Sequence, residues 1–140
     1  MVHALDEIRR VLVPDGILID LRPIGDQWRV EVFSTRETRE TGRLTDLPAG
    51  MADDNASNQA VANAEANGWF IRDQEEFFPI HYVWDTASDM EKWVDEEWNP
   101  FIGLGEEPRL ATRSAWALGD ADSRVRIRVK MLITRWKVKK

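Results

Sequence analysis

The chain contains no cysteine. That excludes disulfides, thiolate nucleophiles and cysteine-held metals, and it agrees with a cytoplasmic location. Histidine is scarce: His3 and His81 are too few to build a histidine-ligated metal centre. No apolar run approaches the roughly 20 residues that a membrane helix needs, so no membrane association is expected. The opening residues also lack the charged start, apolar middle and small-residue end of a signal peptide. Glycines are few and scattered, and none forms a G-x-G-x-G turn. Gly103-Leu104-Gly105 is a lone G-x-G followed by Glu106-Glu107-Pro108, a poor cradle for a negatively charged cofactor. There is no G-x-S-x-G and no calcium-loop pattern, so neither a serine nucleophile nor an oxygen-ligated metal is supported. No catalytic, cofactor-binding or metal-binding residue is predicted.

What is present suits one domain over residues 1–140, large enough to bury a core without staples. The net charge of −6 hides two blocks of opposite sign. Asp73 to Glu107 carries eleven acids and one base, Lys92, whereas Arg124 to Lys140 carries eight bases and no acid. Blocks like these in a small domain are expected to face each other or water. Nucleic acid is not an expected partner, because the chain as a whole would be repelled by phosphate.

The stretch Ala4 to Leu21 organises the rest. Leu5, Ile8, Val11 and Leu12 recur at helical spacing, with Asp6, Glu7, Arg9 and Arg10 on the other face. Pro14-Asp15-Gly16 ends the helix and turns the chain, glycine supplying positive φ. Ile17 to Leu21 then reads as a short buried strand. Helix, turn and strand resemble the segment through the fifth sheet strand of class I S-adenosylmethionine-dependent methyltransferases. That family reads Arg-x-Leu-x-Pro-Gly-Gly where this chain has Arg10-Val11-Leu12-Val13-Pro14-Asp15-Gly16, with Asp15 in place of the first glycine.

Downstream, Trp28, Val30 and Val32 alternate as the inner face of a strand. Ser34 to Thr41 reads as a connection, and Gly42 to Leu47 as the returning strand, so 22–47 is expected to be an inserted hairpin. Pro48-Ala49-Gly50 would end it. Ala56, Ala60, Val61 and Ala64 mark a helix capped by Gly68, its small side chains suited to close packing on a sheet. Phe77 to Trp84 reads as a strand separated from Trp69-Phe70-Ile71 by Glu75 and Glu76. Ser88 and Glu91 form a capping box ahead of Met90, Trp93, Val94 and Trp98. Pro108 opens a last helix, with Leu110, Ala111, Ser114, Ala117 and Leu118 as its buried side. Arg124 to Val138 alternates as a strand, and its apolar phase slips by one residue, which predicts a β-bulge or bend at Met131 to Ile133.

The expected fold is therefore α+β, a mainly antiparallel sheet of about five strands with helices packed on it. It resembles the C-terminal half of the methyltransferase Rossmann-like fold, with strands 17–21, 78–84 and 124–136 in one sheet and the last two antiparallel. By that resemblance the chain lacks the cofactor-binding half, and S-adenosylmethionine would bind only if a partner supplied it. A non-catalytic assembly module is expected, a homodimer or a domain docking on a complementary protein chain; the edge of Ile17–Leu21 needs cover, which a second copy or the inserted hairpin would supply. The alternatives are the substrate-side part of a split methyltransferase, or a small-ligand carrier. For a ligand site the candidates are His81, Tyr82, Trp84, Trp93 and Trp98, which could line an aromatic pocket or simply fill a core. Period two places Tyr82 and Trp84 on one face of their strand and His81 on the other.

Overall fold

A computed structural model describes residues 2–140. In order the elements are α1 (Val2–Val11), β1 (Ile17–Pro23), β2 (Arg29–Phe33), β3 (Thr38–Arg43), β4 (Thr45–Asp46), α2 (Pro48–Ala66), β5 (Phe70–Trp84), α3 (Ala87–Trp93), a π-helical turn (Val94–Trp98), β6 (Ile102–Gly103), α4 (Glu106–Leu118) and β7 (Arg124–Val138). The fold is α+β, a mostly antiparallel five-stranded sheet with four helices packed on it. β7 is the strand on which the sheet is built. Met131–Lys137 pairs antiparallel with β1, and Arg124–Arg128 pairs antiparallel with β2, which carries β3. β5 also pairs β7. Asp73 meets Arg135, and the Lys139 amide meets the Trp69 carbonyl, so numbers rise along one strand as they fall along the other. The expected shared sheet is present, with its last two strands antiparallel.

The chain forms two compact units, one of residues up to Ile24 with Ala52–Phe78 and Met131–Lys140, the other of Gly25–Met51 with Pro79–Lys130. The core of the first is Leu5 of α1, Ala60 and Ala64 of α2, and Phe70, Trp136 and Val138 of the sheet. Ile8, Leu12, Leu18 and Val61 pack against it. Val11, expected on the buried face of α1, is exposed instead. After α1 the turn reaches a positive φ of 62° at Asp15, not at glycine, since a short polar side chain tolerates that region. Gly16 is needed for a different reason. A Cβ there would stand 2.8 Å from the Val13 carbonyl oxygen, which the Gly16 amide bonds. α2 ends as expected: Gly68 takes φ 71°, its amide bonds the Glu65 carbonyl, and the Trp69 amide bonds that of Ala64.

β1 departs from the expected buried strand. Its inward parity is Leu18, Asp20 and Arg22, while Ile17, Ile19 and Leu21 are more than half exposed. An apolar run says nothing about which parity a neighbour covers; here that neighbour is reached through Leu18.

In the second unit Trp28, Val30 and Val32 are buried as predicted, and so are Val125, Ile127 and Val129 of β7. The returning strand is Thr38–Arg43 rather than Gly42–Leu47. Its polar residues suit an exposed outermost strand, and the Ser34 amide closes a short turn onto the Glu37 carbonyl. Pro48 opens α2 instead of ending the hairpin, as proline does where a helix has no use for the amide. Asp73 to Glu76 is strand, because β5 runs unbroken.

The expected capping box does not form. Thr86 is the N-cap, accepting from the Asp89 amide at 3.1 Å, which frees Glu91 to turn toward α4. α4 itself begins two residues ahead of Pro108, and its inner side is not the predicted apolar one. Thr112 is fully buried, its hydroxyl 2.7 Å from that of Thr41 and 2.7 Å from the Pro108 carbonyl oxygen. The Trp116 indole donates to the carbonyls of Asp85 and Ser123. These polar anchors roll Leu110 and Leu118 outward, the latter to 87% exposure.

Along β7 the buried parity is odd through Val129 and even from Leu132. The switch falls next to the predicted site, yet β7 is one continuous strand and its register with β1 is unbroken from Met131 to Lys137. A register shift is present in the β2–β3 ladder, between Val30 and Glu31.

Candidate functional site

The aromatic candidates meet in the second unit. Tyr82 and Trp84, two apart on β5, stack with ring centres 6.2 Å apart and planes 19° from parallel. α3 and the π-helical turn bring Trp93 and Trp98 onto them: Trp93 lies 6.4 Å from Tyr82 and 6.3 Å from Trp84, and Trp98 meets Tyr82 edge-on at 5.2 Å. Trp28, not among the candidates, completes the group with an edge contact to Trp98 at 5.4 Å. Its alternation with Val30 and Val32 marked it as inward-facing, which was the available signal. Edge-to-face contacts of this kind satisfy the ring quadrupoles with one another. The rings occupy each other's faces, with Trp28 at the buried end and Tyr82 and Trp93 at the exposed rim.

His81 lies on the other parity of β5, as predicted, among different company. Burial and the nearby Arg126 hold its pKa below the usual histidine value, Glu31 opposes them, and Arg128 adds to the lowering. Arg126 stands over the Phe33 ring at 4.7 Å and reaches Glu31 at 3.3 Å. This is a charged patch apart from the rings.

Beneath the rim, α3 and α4 are joined by ion pairs. Glu91 is buried, receives both Nε and Nη2 of Arg113, and lies 3.4 Å from Arg109, which also holds Asp95. Each oxygen of Glu91 accepts a hydrogen bond from Arg113, so the carboxylate ties α3 to α4. Among the described residues no three acids or histidines are grouped to hold a metal.

The two charge blocks do meet. Arg135 and Lys137 hold Asp73, Thr134 donates to Glu75, and Arg124 reaches Asp85 at 2.9 Å. The arginine beside it keeps the Asp73 carboxyl below the ordinary carboxylate range.

The first unit presents two features that point outward. One is the free side of β1, which pairs β7 and no other strand among the described residues. Its exposed parity is entirely apolar: Ile17, Ile19 and Leu21 are 53%, 52% and 55% exposed. The other is a cleft of about 300 Å³ bordered by α1, α2, β1 and Trp136, with Asp20 on its wall. Of the expected stripe on α2, Ala60 and Ala64 are buried and Val61 is half-buried, whereas Ala56 is exposed; Ala60 packs in the core, and Val61 and Ala64 also border this cleft.

Compared with the models of known protein families, with curated proteins and with solved structures, the chain matches none.

Proposed function

We propose that this domain is an assembly module without catalytic activity of its own, which joins a second copy of itself through β1. The observation that carries the reading is the pairing of β1 on one side only, together with three apolar residues on its outward parity. Proteins ordinarily protect such an edge with lysine, a bulge or a covering element. Ahead of Pro23 β1 carries no lysine; its charges, Asp20 and Arg22, lie on the inward parity and pair with each other. Its sequence is also self-complementary. Antiparallel pairing of two copies about Ile19 sets Ile17 of each opposite Leu21 of the other, and Ile19 opposite itself.

The methyltransferase resemblance remains part of this reading. It is supported by Arg10 to Gly16 and by the antiparallel sheet shared by β1, β5 and β7. A domain with that ancestry and no glycine-rich turn would bind S-adenosylmethionine only with help. The same edge would suit a complementary chain carrying a cofactor-binding half, and the cofactor would then bind the pair and not this domain alone.

Light scattering over a concentration series tests the proposal. A dimeric mass that becomes monomeric on Ile19→Lys, with an unchanged far-ultraviolet spectrum, is the expected result. A wild-type chain that stays monomeric at millimolar concentration overturns it. Saturable heat on titrating the isolated domain with S-adenosylmethionine would overturn the non-catalytic reading separately.

A further inference from the structure

The outer face of the second unit's sheet carries a row of like charges. Arg29 of β2 lies directly opposite Arg128 of β7 on one side and Arg43 of β3 on the other. Cross-strand partners share a face, and Val30, the next residue of β2, is buried on the opposite one. Like charges placed directly opposite each other destabilise an antiparallel pair. Three arginines abreast on adjacent strands are therefore an arrangement that sheet formation alone disfavours.

The neighbouring row shows how such charges are otherwise offset here. Glu31 lies opposite both Arg126 and Glu40; it holds Arg126 at 3.3 Å, and Glu40 holds Arg43 at 3.2 Å. Further along the same face, Arg124 is held by Asp85 at 2.9 Å. Arg29 and Arg128 differ: both are exposed, and among the described residues neither has an acid within 4.0 Å. Four guanidiniums against two carboxylates leave the two rows with an excess of two positive charges. That excess sits on the one pair of arginines without an anion.

We propose that Arg29 and Arg128 form a binding site for a doubly charged phosphoryl group, either inorganic phosphate or a phosphate monoester of a small molecule. Opposed residues of an antiparallel pair have Cβ atoms about 4.5–5.5 Å apart, so two guanidinium forks can share one tetrahedral group. Such a group puts three acceptor oxygens and two charges on one atom, matching both the forks and the excess charge. A carboxylate has two oxygens and one charge, enough for one fork only. A nucleic-acid backbone has one charge per phosphorus and leaves half of the excess unmet. His81 borders the row from β5 and reports on it; the charges acting on it are Arg126 and Arg128 from β7 and Glu31 from β2. The patch lies in the second unit and β1 in the first, so this proposal stands or falls independently of assembly.

Phenyl phosphate, inorganic phosphate and dimethyl phosphate serve as probes, titrated into the ¹⁵N-labelled protein at fixed ionic strength and about pH 7.5, where a monoester is mostly a dianion. The expected result is saturable shifts at the amides of Arg29 and Arg128 and at the His81 ring with the first two. Whichever of those binds more tightly distinguishes an ester ligand from the free ion. Dimethyl phosphate, with one charge, should bind at least about tenfold more weakly, the factor that one charge-assisted hydrogen bond is worth. Arg29→Gln and Arg128→Gln should each weaken phenyl phosphate at least about tenfold while the spectrum stays dispersed, since each relieves a like-charge contact. Arg124→Gln removes a charge from the same face and should change affinity by less than about twofold, its charge being screened and already paired. Bound dianion should raise the His81 pKa in the wild type and not in Arg29→Gln. Wild-type protein with no saturable shift in the millimolar range overturns the proposal. So does dimethyl phosphate that binds as tightly as phenyl phosphate, or a loss in Arg124→Gln equal to that in Arg29→Gln, since either reveals a diffuse field in place of a site.

Discussion

Glu91 of α3 and Arg113 of α4 meet side-on, two guanidinium nitrogens reaching two carboxylate oxygens at 2.7 and 2.6 Å. The acid is buried and the base is half in water, so the two ends of the pair are not equivalent. Removing Glu91 leaves Arg109 and Arg113 facing each other without their shared anion. Glu91→Ala should therefore cost about 3 kcal/mol, the lower end for breaking a buried pair. Arg113→Ala should cost distinctly less, because Arg109 still serves the carboxylate. Urea denaturation of the two variants checks the order, and equal losses would contradict it.

Two glycines distinguish contact from conformation. At Gly42 an added Cβ would stand 2.4 Å from the Pro108 Cβ, so Gly42→Ala must push β3 and α4 apart, at about 1–3 kcal/mol. At Gly68 an added Cβ meets nothing within 4 Å, but φ is 71°. Gly68→Ala should cost about 1 kcal/mol through backbone strain alone. Gly68→Asn, tolerant of that region, should recover part of the loss, whereas Gly42→Asn should be worse than Gly42→Ala. Thermal melts of the four variants decide it.

The lowered pKa of His81 implies a pH dependence of definite sign. The folded pKa lies below the ordinary histidine value of about 6.5, first through partial desolvation and then through Arg126, so the unfolded chain takes up a proton first as pH falls. Stability should fall as pH drops through about 6.5 and level off below the folded pKa. His81→Gln should flatten the urea midpoint between pH 7.5 and 5.5. Asp73 behaves oppositely in position: its pKa is depressed, first by the Arg135 hydrogen bond, so its contribution is full above about 4 and is lost in stronger acid. A His81→Gln profile that still falls near neutrality would contradict the first assignment.

On α4 the conspicuous apolar residue should matter least. Leu118→Lys is expected to change stability by no more than about 0.5 kcal/mol, since the side chain is already in water. Thr112→Val, a near-isosteric change, should cost about 1–2 kcal/mol, because it strips the bridge between the Thr41 hydroxyl and the Pro108 carbonyl. Denaturation midpoints that rank these two the other way would mean the helix is rotated from the orientation described.

That same helix shows where a sequence stops being readable. Local signals identified real features: the turn after α1, the glycine cap at Gly68, the alternation of Trp28 with Val30 and Val32, and the common face of Tyr82 and Trp84. Each depends on residues a few positions apart. The failures share another cause. Whether Ile17 or Leu18 points inward, and whether Leu110 or Thr112 does, is decided by what covers the element. Asp73 to Glu76 reads as a break because four polar residues in a row seldom make a strand, yet their partners Thr134, Arg135 and Lys137 lie some sixty residues away. Four of the five site candidates came together because Tyr82 and Trp84 share one parity of β5 and Trp93 and Trp98 lie on the helical segment that packs against it. The cleft of the first unit could not be foreseen, since a space has no residues of its own.

The change of buried parity in β7 has a bearing on what the gene can tolerate. Odd positions serve one core up to Val129 and even positions serve another from Leu132, so Lys130 and Met131 act as a shift in reading frame within a single strand. Substitutions at those two half-buried positions should cost less than at the buried residues on either side. Insertion or loss of one residue anywhere else along the strand would turn every following side chain to the wrong face. In this segment length is inherited more strictly than identity.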